Sequence, residues 1–540
     1  MFKKSLLAVF FLVVIIFNAS ESEAGCNGSC EVSEGQHWAV EVDTHMWDEV
    51  IEIESLIVEP GASLKLENVT AKIDNEVTLN GHAEWIESNM TLALEKKSDN
   101  VSIHASLKVI STKINILFDL NSTKNAYDSD SDGFYLYEGG YLVISDSDGN
   151  PGTTNDASVI KPIGFNVPSN SYSNAFWQIT GYNSPETTIS ITNSFLVDIW
   201  YSRIYGDNAK FENNEVYGDR DITFYGDNLS YENNFHDATK VNTTRYYVGE
   251  TTTYGDNATI SGNSYLNGYS AIDVYYSSYY SNDIYSRTEN ILISNNSFAN
   301  MYSAVSIAGG TNNITIQNNS FTNISAYGVY NNNFGSYFNG SYIFPSNITV
   351  KQNIFHNSTN AYRAANVSNL VFEGNNVEYS SGTNTEPYSV WLSGSDIFAR
   401  NNTFSYCLRS CIMLTNLDFG DNKKITINQN FFHNFSAIGI RLGTQNSIHE
   451  DIKILENSFL DGAIGISSYA YSNYAKVPSD VEIRLNQFNN ITHGSQLTLI
   501  GGRDYTITDN IIKDAGYGIS LFGSSIATRN LTIENNTINS

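Results

Sequence analysis

From residue 291 onward one eight-residue pattern is written ten times: apolar, any, apolar, any, variable, asparagine, any, apolar. It is clearest in ILISNNSF (291–298), ITIQNNSF (314–321), ITINQNFF (425–432) and LTIENNTI (531–538). The aligned asparagines are Asn296, Asn319, Asn353, Asn375, Asn402, Asn430, Asn457, Asn486, Asn510 and Asn536, spaced 22 to 34 residues apart. A repeat of this length that alternates apolar and polar residues is a stack of short half-buried strands, because side chains two apart share a face. The asparagine marks a bend: its amide satisfies local backbone groups and it tolerates left-handed backbone angles. Stacked in successive coils, the amides are placed to join into an internal ladder. A second apolar strand follows in many copies, as in AIGI (437–440), AIGI (463–466) and GYGI (516–519). Two or three short strands per repeat leave no room for a helix, so the class is all-β, a solenoid of parallel sheets.

Looser copies lie upstream: TISITNSF (188–195), with its bend read at Asn193, AKFENNEV (209–216), NLSYENNF (228–235) and TISGNSY (259–265). Repeats are therefore expected over 185–540. Residues 25–125 alternate strongly and read as early coils or a separate β region, and 126–184, richer in Asp, Gly and Ser, as an excursion or boundary. Residues 1–24 read as a secretory signal peptide, with Lys3 and Lys4 before an apolar run from Leu6 to Phe17 that is shorter than the roughly 20 residues a membrane span needs. The chain is expected to be secreted or displayed at a cell surface. Cys26/Cys30 and Cys407/Cys411 are two CxxxC pairs, unlike the CxxC sets of structural zinc, and in an oxidising compartment each can close locally. N-x-S/T tripeptides recur, among them Asn68, Asn121, Asn257, Asn313, Asn347, Asn434 and Asn530, and fit a glycosylated surface if the cell performs that chemistry.

On these motifs the chain resembles the pectin-lyase-like superfamily of parallel β-helix repeat proteins, including the NosD-type repeat proteins. The resemblance covers 291–540 well and 185–540 more loosely, and implies a right-handed single-stranded parallel β-helix. It leaves function open, since proteins of this shape include polysaccharide lyases and hydrolases, phage tailspikes, adhesins and components of metal maturation systems. A copper role borrowed from NosD lacks a close set of His, Met and Cys ligands here. His236, His356 and His433 each follow an aromatic residue just beyond the asparagine, which suggests similar coil positions.

The strongest local metal motif is YDSDSDGFYLYEGG, where Asp128, Asp130 and Asp132 precede Gly133 in the order of a calcium loop. Glu138 falls one residue early for an EF-hand, and Asp146 and Asp148 follow nearby as further candidate ligands; a solvated acidic turn is the alternative. Tyr-Gly-Asp recurs at Tyr205, Tyr217, Tyr225 and Tyr254. Tyr225 and Tyr254 are candidate glycan platforms, against a role in packing. For catalysis the candidates are the Asp219–Arg220–Asp221 group, Asp273 and Asp283 before Arg287, and Arg503–Asp504, each equally readable as a surface ion pair. The clustered Asp and Gly-His-Gly signals of β-helix polygalacturonases are missing, and no catalytic residue is assigned.

Acidic residues outnumber basic ones 57 to 29, giving a net charge of -28, which repels a phosphate backbone and argues against a nucleic-acid partner. The reading is a secreted or cell-surface scaffold, supported by structural calcium and without an organic cofactor, that binds extracellular glycans or neighbouring surface molecules. The alternatives are a polysaccharide lyase or glycoside hydrolase, and a structural surface-layer or filament subunit self-associating through its rod ends.

Overall fold

The structure is a computed structural model and describes residues 25–28, 30, 35–93, 101–117, 133–136, 141–145, 159–163, 178–181, 188–197, 202–204, 206–218, 221–238, 250–275, 288–331, 336–338, 341–383, 388–414, 422–444, 449–470, 478–500, 502–522 and 529–539. One coil shows the design. Strands Glu289–Ser294, Ser297–Ala299 and Ser303–Ile307 contribute to a first, second and third sheet, and the next coil repeats them as Asn312–Gln317, Ser320–Thr322 and Tyr327–Asn331. Pairing is parallel and in register, Ile291 against Ile314, Phe298 against Phe321 and Val305 against Val329. It runs from His37–Val40, which pairs with Ser55–Val58, to Thr537–Asn539. Strands Gly133–Leu136, Tyr141–Ser145, Val159–Ile163 and Gln178–Gly181 take their places in the same ladders. Among the strands of the coil ladders that are described, Gly25–Asn27 lies antiparallel, against Thr44–Trp47.

Alternation decides the interior. In Ile291-Leu292-Ile293 the isoleucines are buried and the leucine faces out. Parallel in-register stacking then places like side chains above one another, so the core is built of columns. Phe298, Phe321 and Phe355 stack at 4.9 and 4.6 Å between ring centroids, and Phe404, Phe432, Phe459 and Phe488 at 4.9, 4.7 and 4.7 Å. Val377 separates the two runs. Such offset ring contacts contribute roughly 0.5 to 1.5 kcal/mol each beyond burial.

The repeated asparagines point inward, and the ladder is longer than the clean repeats. It passes from Asn214 through Asn234 and Asn263 to Asn296 and on to Asn536. At each rung the backbone N–H and the Nδ2 of one asparagine both donate to the Oδ1 of the next. For Asn430 these bonds reach Asn457 Oδ1 at 3.0 and 2.9 Å, while Nδ2 also donates to Ala399 O at 2.9 Å. The ladder position in the coil below Asn214 is Ser194, whose N–H donates to Asn214 Oδ1. The bend assigned to Asn193 therefore belongs to two residues: Asn193 takes the left-handed angle (φ 50) and Ser194 the ladder. The same division holds along the array, where the variable residue before the ladder asparagine is left-handed, as at Asn295, Gln352, Glu456 and Leu485. Two further bends per coil are left-handed, for example at Asn300 and Asn313.

The three histidines do not share one place. His236 sits two residues after its ladder asparagine, is buried, hydrogen-bonds Tyr231 and stacks on Tyr265 at 4.8 Å. His356 and His433 stand three after theirs and face outward.

Candidate functional site

Outward positions on most of the rod are exposed and carry ion pairs across coils, such as Lys72–Glu52 and Arg400–Glu373. The third sheet departs from this. Its register aligns Arg203, Thr223, Thr252 and Asp273 in successive coils, then Ser306, Tyr330, Arg363 and Trp391. Their strand neighbours point inward, so these side chains face out of the coil. Even so, Thr223 is 5%, Asp273 5% and Trp391 2% exposed. Removing polar groups from water costs free energy unless they find partners, and this row is richly partnered. Between the third-sheet strand Tyr327–Asn331 and the next coil, Ser336–Phe338 and Ser341–Ile343 form a small antiparallel hairpin.

At one end of the row is an acidic pair. Asp221 shares the outward face with Thr223; its Oδ1 accepts from Thr223 Oγ1 at 2.9 Å and from Thr252 Oγ1 at 3.2 Å. Asp273 accepts from Ser270 Oγ at 3.0 Å. Burial pushes the Asp221 carboxyl up to about 6, with the Asp273 charge adding to it and the two threonine bonds and Arg203 opposing. At the other end the Arg363 guanidinium lies 4.8 Å from the centre of the Trp391 ring and 5.4 Å from that of Tyr327, while Nη1 donates to the Tyr327 hydroxyl at 2.9 Å. A guanidinium packed against aromatic rings gains cation–π attraction and keeps donors suited to oxyanions and hydroxyls.

Tyr225 and Tyr254 border the same row, each directly after a third-sheet strand. Their 29-residue spacing brings them into register: the rings stack at 4.8 Å, and Tyr254 stacks on Tyr275 at 5.6 Å. With their faces engaged with one another, these rings do not offer the open stacking platforms expected from the sequence. The rest of Tyr-Gly-Asp-Asn has structural duties. A Cβ on Gly226 would overlap the carbonyl oxygen of Gly206 in the coil below. Asp227 Oδ1 accepts the backbone N–H of Asp256, and Asn228 and Asn257 take left-handed angles.

Other candidate residues fall elsewhere. Asp128, Asp130, Asp132, Glu138, Asp146 and Asp148 lie outside the described residues, as do the signal segment, Asp219, Arg220, Asp283 and Arg287. Among the described residues no group of three or more His, Cys, Asp or Glu is placed to hold a metal ion. Arg503 and Asp504 form an exposed pair at 4.0 Å. Cys26–Cys30 and Cys407–Cys411 are disulfides. The row itself has no local motif, since its members come one per coil. The usable signal was the polar residue inside each short third strand, as in Ile272-Asp273-Val274.

Among known protein families, residues 284–459 match the one described as right handed beta helix region. No curated protein matches the chain. Similar solved structures include the mannuronan C-5 epimerase A-module of Azotobacter vinelandii, at 15% identity over 76% of this chain and 92% of that one, TM-score 0.26. A surface protein and adhesin of Streptococcus pneumoniae matches at 14% over 77% and 93%, TM-score 0.28. The tailspike of an E. coli bacteriophage, in complex with a pentasaccharide, matches at 9% over 88% and 73%, TM-score 0.29. At these scores none of the three bears on what this chain does. The family match and the three in-register parallel sheets together make this a right-handed parallel β-helix, the fold expected from the pectin-lyase-like resemblance.

Proposed function

We propose that the protein is an extracellular β-helical scaffold that binds glycans along the outward row of its third sheet. One observation supports this above the rest: Thr223, Thr252, Asp273, Ser306 and Trp391 face out of the coil yet are buried, in a row that also carries a half-buried, aromatic-backed guanidinium at Arg363. The seven intervals from Arg203 to Trp391 span roughly 34 Å at the usual strand spacing, a length suited to an extended chain of polar rings. Tyr225, Tyr254 and Tyr275 border that path. Neutral or amphipathic sugars are favoured by the net charge of -28. Secretion through residues 1–24 and structural calcium at Asp128, Asp130 and Asp132 belong to the same reading.

The test is a glycan array followed by affinity measurements. Wild type should bind at least one oligosaccharide, and Arg363→Met with Thr252→Val should weaken it tenfold or more with unchanged circular dichroism. Full binding by that double variant would remove the row from the site. The pair Asp221 and Asp273 favours a second reading, a glycan-cleaving enzyme with Asp221, its carboxyl raised to about 6, as proton donor and Asp273 as the second carboxyl. New reducing or unsaturated ends from bound glycans, lost in Asp221→Asn, would establish it; binding without products leaves the scaffold.

A further inference from the structure

The asparagines of this chain fall into two populations that the structure separates. Those of the inner ladder from Asn214 to Asn510 are buried, and the residue two positions later points into the core as Phe, Val, Ile, Tyr or His. No ladder asparagine from Asn214 to Asn510 can therefore stand in an N-x-S/T tripeptide. Left-handed asparagines at the bends are different: Asn295, Asn313, Asn323, Asn347, Asn357 and Asn434 are all exposed, and the residue two positions on is serine or threonine.

Fold geometry alone explains an asparagine at a left-handed bend, and serine or threonine suits an outward site. It does not explain why the two occur together. Among the described residues, fifteen of the twenty-three left-handed asparagines have Ser or Thr at the second following position. Of the seventeen other left-handed residues that are not glycine, four do. A hydroxyl selected only for its place in the coil would follow Asp396 or Asp451 as often as it follows Asn313, and it follows neither.

We propose that the bend asparagines are N-glycosylation acceptors and that the rod carries rows of N-linked glycans on its corners. The transfer takes a glycosyl group from a lipid-linked oligosaccharide phosphate: the bond from Nδ2 to the sugar C1 forms, the bond from C1 to the phosphate oxygen breaks, and the amide gives up one proton. The folded rod can keep the product. Asn313 Nδ2 donates to Asn290 Oδ1 at 2.6 Å, and Asn323 Nδ2 to Asn300 Oδ1 at 3.1 Å. A primary amide has two N–H groups, so a sugar replaces the outward one while the other retains its bond.

The test is intact-mass measurement and electron-transfer peptide mapping of the protein purified from its own cells. Peptides with Asn313, Asn347 and Asn434 should carry added hexose-containing mass, while those with Asn430 and Asn457 in the ladder should not. Thr315→Ala should remove the modification at Asn313 alone and Thr315→Ser should keep it. Unmodified mass at every bend, or glycan on a ladder asparagine, would overturn the proposal.

Discussion

Each ladder asparagine closes both sides of a bend that no other side chain of its size can close. Asn430 accepts from Asn402 N at 3.0 Å and from Asn402 Nδ2 at 2.9 Å while donating to Ala399 and Asn457. Asn430→Ala orphans buried donors and an acceptor and should cost about 2 to 4 kcal/mol, read as a lower urea midpoint at unchanged slope. The preceding position obeys a different rule. Leu485 holds φ 58 and is 40% exposed, where a branched side chain pays roughly 1 kcal/mol for a left-handed angle. Leu485→Asn should raise stability by about 1 kcal/mol, and an unchanged or lower midpoint would show that the leucine packs more than its exposure implies. From sequence these adjacent roles merge into one asparagine-rich bend. Spacing alone could not tell Asn193 from Ser194, because either residue fits a turn and only the inward direction of the side chain separates them.

Strands and corners show the same economy. The Gly-Asp-Asn part of the corner recurs in register at 206–208, 226–228 and 255–257, and Gly226 lets two backbones meet. Gly226→Ala should lower the unfolding midpoint by several degrees, since the added carbon meets backbone and not a movable side chain. In the third sheet, the raised pKa of Asp221 means that the folded protein holds this proton more tightly than the unfolded chain does. Its contribution is therefore full at low pH, is lost as pH rises between about 4 and 6, and is absent above that. Asp221→Asn should flatten the stability profile across that window; a wild-type slope retained in the variant would assign it to another group. This row was only half legible in the sequence. Asp221 and Asp273 stood out as acids near arginines, yet Thr252, which bridges towards them, and Arg363 with Trp391 lie in other coils where nothing local marks them.

At the scale of the molecule, eighteen steps of the first sheet, from Thr44–Trp47 to Arg529–Glu534, give a rod of roughly 85 Å at the usual strand spacing. Small-angle scattering should return an elongated particle whose maximum dimension is near 90 to 100 Å; a compact particle would contradict the stacked coils. Calcium acts at this scale too. If Asp128, Asp130 and Asp132 hold the ion, added calcium should raise the melting temperature of wild type and leave the triple Asn variant unmoved. No calcium response in wild type would return this segment to a solvated turn.

The repeat of apolar alternation and asparagine determined by itself that this chain folds as an all-β solenoid and which residues line its core, because period and burial are local properties that survive in one dimension. It also marked ten ladder asparagines, whose bends recur at one place in each coil. Register was decided only by the tertiary structure. Stacking of coils of unequal length brought Tyr225 onto Tyr254, set Thr252 beside Asp221, and lined up Arg363 with Trp391, since the lengths of the intervening connections do not reveal which residues of neighbouring coils meet.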